Sequence, residues 1–384
     1  MFRGLTMAAM VLVNNPGDWG HVYAPLLHAP WHGLTPTDWI FPFFLFIVGV
    51  SITLSRRSGA TYAAIARRAL LIFALGMLLA LYPRFDFSTV RIPGVLQRIA
   101  VCYLIVALFH RSVAQGHPSV AQGHRSVAQA FRPADLFKPA IALTAAAVLL
   151  LGYWALIFRD LTPDGNLGAA IDRVIFGDHL WRQSRTWDPE GLLSTVPAIA
   201  TTLTGLAAGY IITSDRSQRA KIGVLVIASA ASLALGYVWS FWFPLNKSLW
   251  TSSYVLVTSG LALLLLAALH LALDTEWGGA SRWRSPDRWR SPLGLRSLAH
   301  PFLILGRNAL LLFVTSGFLA KTLGLIRVDN GQGGIVALSR WIYAAWFAPF
   351  AAPKNASLLY AFANLAVLFV LLWALHRRRW YFRV

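Results

Sequence analysis

A single cysteine, Cys102, in 384 residues rules out an internal disulfide and any cysteine-based zinc site. Charge is also scarce. Only 13% of the residues are Asp, Glu, Lys or Arg, where a soluble domain carries about 25%. Acidic residues are the rarest of these, 15 against 34 basic ones, for a formal net charge of +19. The chain has no GxSxG elbow, no Walker phosphate loop, no dinucleotide fingerprint and no HExxH pair. These deficits exclude a disordered chain, a fibrous repeat and a water-soluble globule of this size.

What is present is apolar. Hydrophobic residues make up 57% of the chain, mean hydropathy is +0.57, and the 16 Trp and 23 Phe suit interfacial belts and lipid-facing surfaces. A membrane span needs about 20 mostly apolar residues. Ten stretches qualify: 4–14, 38–55, 69–82, 94–110, 139–158, 191–213, 222–242, 250–273, 302–320 and 356–376. The first and third are short. The first lies almost against Met1, as a truncated start would, and no small-residue cleavage site follows Val13, which favours a retained span over a cleaved signal. The expected fold is an all-α, polytopic transmembrane bundle of about ten spans, read as one domain over 1–384. Basic residues orient it. With both termini cytoplasmic, 21 of the 34 basic residues fall on the inside but only 5 of the 15 acidic ones. In a soluble protein this positive charge would suggest nucleic acid; here it records orientation, and no nucleic-acid partner is expected. Low-complexity cytoplasmic loops are expected at 111–138, with the repeat RSVAQGH, PSVAQGH, RSVAQAF, and at 274–300, with RWRSP and DRWRSP.

Polar signals collect at the outer ends of the spans. Asn14 closes the first stretch, and His28-Ala29-Pro30-Trp31-His32-Gly33-Leu34-Thr35 leads to Asp38. Arg91-Ile92-Pro93-Gly94-Val95-Leu96-Gln97-Arg98 enters the fourth span, and Asp188-Pro189-Glu190-Gly191 enters the sixth. Pro244-Leu245-Asn246-Lys247-Ser248-Leu249-Trp250 turns the corner between the seventh and eighth. Singly, each has a structural reading: Asp38 or Asp188 as a helix N-cap, Pro93 and Pro189 as first-turn prolines, Trp31 and Trp250 as belt residues. Together they differ, because Gln97, Arg98 and Glu190 would cost several kcal/mol facing lipid. Their convergence points to a polar pocket open to the outside. Histidine titrates near pH 6.5 and is the natural proton acceptor there; His21, His28, His32 and His179 all lie outside. His28 and His32 stand four apart, but Pro30 and Gly33 break the helix that a metal pair would need, so no metal is expected.

At these clusters the sequence resembles the heparan-α-glucosaminide N-acetyltransferase family of transmembrane acyltransferases, including its bacterial members. The resemblance runs through FRGLTM and MVLVN (2–14), HAPWHGLTPTDWIFPFFLFIVG (28–49), RIPGVLQRI (91–99), DPEGLLST (188–195), PLNKSLWTSS (244–253) and LGRNAL (305–310). Arg307 stands where the family commonly has Met. The resemblance implies a helical membrane bundle that moves acetyl from cytosolic acetyl-CoA to a glucosamine amine across the membrane. It matches His28 to the catalytic histidine and Asn14 to the active-site asparagine. Asp38, Arg91, Gln97, Arg98, Asp188, Glu190, Asn246, Lys247, Trp250 and Asn308 are then the substrate-binding candidates. The implied partner is an amino-sugar or glycan acceptor; membrane lipids are a further expected partner, and the sequence leaves a homodimer open as the assembly. An amino-sugar transporter of the inner membrane is the competing reading, but no matching halves are visible in the sequence.

Overall fold

The computed structural model describes residues 1–55, 61–115, 133–274, 296–331 and 333–382. The apolar stretches form helices, and some of these start at a capping side chain. Helix α1 spans Phe2–Asn14, and α2, Ile40–Leu54, follows a 3-10 turn at Pro36–Trp39. Helix α3, Tyr62–Leu81, starts where the Thr61 hydroxyl accepts the Ala64 N–H. Helices α4, Val95–Gln115, and α5, Pro133–Ile157, follow. The short α6, Leu167–Phe176, is capped by Asn166; α7 spans Thr195–Thr213; α8, Gln218–Trp239, is capped by Ser217. Then come α9, Ser252–Asp274, α10, Arg296–Arg307, and α11, Ala309–Leu325. A two-stranded ribbon, β1 Arg327–Asp329 antiparallel to β2 Ile335–Ala337, leads into α12, Leu338–Trp346, and α13, Pro353–Arg377.

All ten expected stretches are helical, but they are not ten equal spans. Among the described residues, eight helices are long and apolar enough to cross a membrane. The ninth stretch is α10 and α11, bent by 82° at Asn308. The first, α1, has 13 residues, about 20 Å at 1.5 Å per residue, and cannot span some 30 Å unaided. The third is longer than expected: Thr61 starts α3 at Tyr62, and the arginine-bearing turn through Arg67 and Arg68 stays helical, giving 20 residues. Helix α4 likewise runs on through Arg111 to Gln115, into the first repeat. The rest of that repeat and the RWRSP segment lie outside the described residues. The ribbon, α6 and α12 are departures from a purely spanning all-α bundle.

Helix α7 is the axis of the bundle, buried along most of its length and packed against α2, α4, α5 and α9. Its crossing with α2 is close because both helices carry glycine there. A Cβ on Gly49 would strike the Thr202 carbonyl, and one on Gly205 would strike the Phe46 carbonyl. The peripheral helices turn large apolar side chains outward, among them Leu70, Val148, Ile227, Leu235, Val367 and Val370. That is the surface a bilayer would cover.

The alternate connections gather at one end. Gly33 N–H donates to the Leu245 carbonyl (2.8 Å), Ile92 N–H to His179 (3.0 Å), Trp31 Nε1 to Leu161 (2.9 Å) and Gly17 N–H to Ser357 (3.2 Å). The loops expected on the outside are therefore one hydrogen-bonded layer. At the opposite end, His110 meets Tyr210 and His270 meets Gln218.

Candidate active site

His28 lies on the loop between α1 and α2, and its position is fixed by the helix start that follows. Thr35 and Asp38 form a capping box around the Pro36–Trp39 turn, so Asp38 is the third residue of that turn and Thr35 is the cap. The carboxylate reaches back across the loop. Oδ2 accepts from the Thr35 N–H (3.0 Å) and the Ala29 N–H (3.2 Å), while Oδ1 lies 2.7 Å from His28 Nδ1. From below, the Tyr254 hydroxyl donates to the Asp38 carbonyl at 2.6 Å. The Asp38 side chain is 1% exposed and that of His28 is 49% exposed. A buried carboxylate on Nδ1 fixes the tautomer and leaves Nε2 as the proton-accepting nitrogen.

Lys247 comes from the corner between α8 and α9. Its Nζ is 3.0 Å from His28 Nδ1, 3.1 Å from Nε2 and 3.8 Å from Asp38 Oδ1. Near-equal distances to both ring nitrogens place the ammonium against the ring, not in line with either lone pair. Burial pushes the Lys247 pKa down, against Asp38 and Glu190, which pull it up. Asn246, fully buried, holds the corner by accepting the Leu249 N–H (2.8 Å), and its amide lies 3.3 Å from His32 Nδ1. Burial lowers the His32 pKa. Gly33, with φ of +124°, adopts a backbone conformation that a side chain would strain, and so turns the loop back onto this corner.

A second cluster stands beside the first. Arg91 makes a fork with Asp188, 2.8 Å from Nε to Oδ2 and 2.5 Å from Nη2 to Oδ1, and also pairs with Glu190. Burial disfavours the charged form of Glu190, but Arg91, Arg98 and Lys247 outweigh it and hold the carboxylate below the usual range. Arg98 lies beneath, 2% exposed. Its Nη2 donates to the Gly191 carbonyl (3.1 Å) and to the Ser194 hydroxyl, and its guanidinium covers the Trp250 ring at 5.1 Å. Its Nε and Nη1 are buried with no protein partner among the described residues. Trp250 Nε1 donates to Thr201 of α7 (3.0 Å), tying this layer to the bundle axis.

The structure thus brings His28, Asp38, Lys247 and Asn246 together, with Arg91, Asp188, Glu190, Arg98 and Trp250 adjoining. Gln97 turns away toward α3, 3.4 Å from Met77 Sδ. Asn14 ends α1, which packs on the Pro36–Trp39 turn, but it is exposed and makes no hydrogen bond to His28. Asn308 is not part of this site. At the α10–α11 break it bonds Trp380 and Phe382 beyond the far end of α13 (3.2 and 3.0 Å). The near end of α13 joins the His28 side through Ser357 and Asp18. The 25 residues of α13 put about 37 Å between its two ends.

Two contributors were not evident in the sequence. Tyr254 supports Asp38, but sits in an apolar helix with nothing local to mark it. Asp172, on α6, accepts the Leu192 N–H (2.9 Å) and so props the Asp188–Gly191 turn. Burial pushes its carboxyl up to about 6. A lone Asp in LGAAIDRVIF carries no signal for a partner twenty residues on. A carboxylate–imidazole pair at a half-open surface, flanked by cations, can accept a proton and stabilise nearby negative charge. No group of three or more His, Cys, Asp or Glu residues among the described ones could hold a metal ion.

Comparison with known proteins gives the same direction as the motifs. Residues 1–145 match the family described as heparan-alpha-glucosaminide N-acetyltransferase, catalytic. The human heparan-alpha-glucosaminide N-acetyltransferase is 29% identical over 333 residues, covering 72% of this chain and 49% of the relative; the mouse enzyme is 27% identical with the same coverage. The chain spans about half the length of the curated relatives it matches.

Proposed function

We propose that the chain is a membrane-embedded acyltransferase that moves acetyl from acetyl-CoA to the amine of a glucosamine-type sugar. The His28–Asp38 pair carries this reading: a half-exposed imidazole whose Nδ1 is engaged by a buried carboxylate, so that Nε2 is the nitrogen that accepts a proton. An amino-sugar amine is largely protonated at neutral pH and does not attack a thioester in that form. The ammonium first gives one proton to solvent; His28 then takes the second from nitrogen as the amine bonds to the thioester carbonyl carbon. A tetrahedral oxyanion forms, the C–S bond breaks, and the CoA thiolate leaves with a proton returned by the imidazolium. Asn14 supplies an amide N–H to the oxyanion, a contribution whose loss typically costs 10²–10³ in rate. Arg91 and Glu190 offer hydrogen bonds to sugar hydroxyls beside it, with Asp188 holding Arg91 and Asn246 holding the Lys247 corner in place.

The acetyl donor enters from the other face on this reading. Arg3 and Arg68 lie near one another there, and neither forms an ion pair among the described residues. Arg68 Nε is buried with no hydrogen-bond partner among the described residues, and the guanidinium lies over the Tyr103 ring at 4.7 Å. Such cations suit the phosphates of CoA. The charge asymmetry of the loops supports a topology with His28 outside and these arginines in the cytoplasm; we read the membrane as the inner membrane of a bacterium.

Purified protein given labelled acetyl-CoA and glucosamine should form N-acetylglucosamine. Absence of product, with uptake of unmodified sugar into vesicles, would replace this reading with that of an amino-sugar transporter.

A further inference from the structure

We propose that Lys247 is a positioning residue that keeps His28 unprotonated at rest by offsetting the Asp38 carboxylate, an inference that rests on His28 being the base. The geometry sets two opposed charges on one imidazole. Asp38 Oδ1 is 2.7 Å from Nδ1 and, alone, would draw the ring into an imidazolium–carboxylate ion pair. An imidazolium cannot accept the substrate's proton. Lys247 Nζ stands 3.0 and 3.1 Å from the two ring nitrogens and 3.8 Å from the same carboxylate oxygen. Its charge opposes a second cation on the ring and neutralises the carboxylate that would invite one. Asp38 can then orient the ring without protonating it.

The surroundings hold this arrangement in place. On the histidine's own loop His32 is turned toward Asn246, and His21 is paired with Asp18. From the Pro36–Trp39 turn comes Asp38, and from the α8–α9 corner comes Lys247. Glu190 attracts Lys247 and Arg98 repels it, while Arg91 and Asp188 are engaged with Glu190 and each other. Lys247 is thus fixed by its setting as much as by its own contacts. Asn246 anchors the corner through Leu249 and Thr251, which sets the lysine's height over the ring.

Two measurements test this. The first is the pH profile of kcat/KM for acetyl transfer in wild type, Lys247→Met and Lys247→Arg. A like charge removed at this range moves a titration by about one unit or more. Lys247→Met should shift the acid limb to higher pH by about one unit, lose roughly tenfold near pH 6.5 and recover to within a few-fold of wild type at alkaline pH, while Lys247→Arg keeps the wild-type limb. The acceptor amine's own ionisation is common to all three and cancels in the ratios. The second measurement needs no turnover: carbethoxylation of His28 by diethyl pyrocarbonate, followed by mass spectrometry against pH in wild type and in the smaller change Lys247→Gln. The variant's reactivity should rise at higher pH than the wild type's. A rate loss equal at all pH, with no change in His28 carbethoxylation, would overturn the role of Lys247 and leave the base intact. Full turnover by His28→Ala would instead overturn the base.

Discussion

His28 and Asp38 together make the most exacting residue-scale claim, since one carboxylate must both build the loop and aim the ring. His28→Ala should abolish acetyl transfer while the protein stays folded, because a half-exposed loop side chain removes little buried bulk; melting temperature and labelled product, measured on one preparation, separate the two effects. Asp38→Asn should be the more damaging to structure, since it leaves the Lys247 ammonium partly buried beside a neutral amide. Asp172 gives a prediction with a definite sign. Burial lifts its carboxyl from the ordinary 3.8 to about 6, so the folded state holds that proton more tightly than the unfolded chain. Stability is therefore lost as pH rises from about 4 to about 6, and the cost is fully present above that range. Asp172→Asn keeps an acceptor for the Leu192 N–H and removes the charge. Its melting temperature should exceed that of wild type by a few degrees at pH 7.5 and match it near pH 4. A lower value at pH 7.5 would show that the ionised carboxylate is needed. Much of this site was legible: His28, Asp38, Asn246 and Lys247 stand in polar runs at span ends, where charge in an apolar chain demands a reason. Asp172 and Tyr254 were not, because their partners are distant in sequence and their own segments look like ordinary helix.

At the scale of elements, the site is only as well aligned as the α2–α7 crossing. Asp38 leads into α2, and the Gly191–Ser194 turn held by Arg98 leads into α7. The backbone contact at Gly49 and Gly205 sets the spacing between the two. Gly205→Val should force the helices apart, costing about 1–3 kcal/mol as overpacking does, and should lower activity without touching any proposed site residue. Thermal unfolding followed by tryptophan fluorescence, beside turnover of the folded fraction, checks both parts. The ten apolar stretches were readable because each is long enough for composition to decide. Helices α6 and α12, of 10 and 9 residues, were missed because so short an amphipathic run has no length argument, and the ribbon offered only three residues per strand. The 82° break at Asn308 was also hidden, since α10 and α11 are continuous in hydropathy.

For the whole molecule, the loops that charge counting assigns to one side share a hydrogen-bonded layer at one end of the bundle. Cysteines placed at 28 and 247 in a Cys102→Ser background should react with an impermeant thiol reagent added to sealed cells, and cysteines at 120 and 286 should not. Labelling at 120 or 286 would reverse the orientation. What distinguishes a transmembrane acyltransferase from both a transporter and a one-sided transferase is where product forms. The decisive measurement uses sealed proteoliposomes of uniform orientation, with labelled acetyl-CoA confined to the cytoplasmic-equivalent side and glucosamine to the His28 side. The account predicts labelled N-acetylglucosamine on the glucosamine side, CoA released on its own side, and neither in vesicles carrying His28→Ala. Product only when both substrates share one compartment, or unmodified glucosamine crossing the membrane, would contradict it.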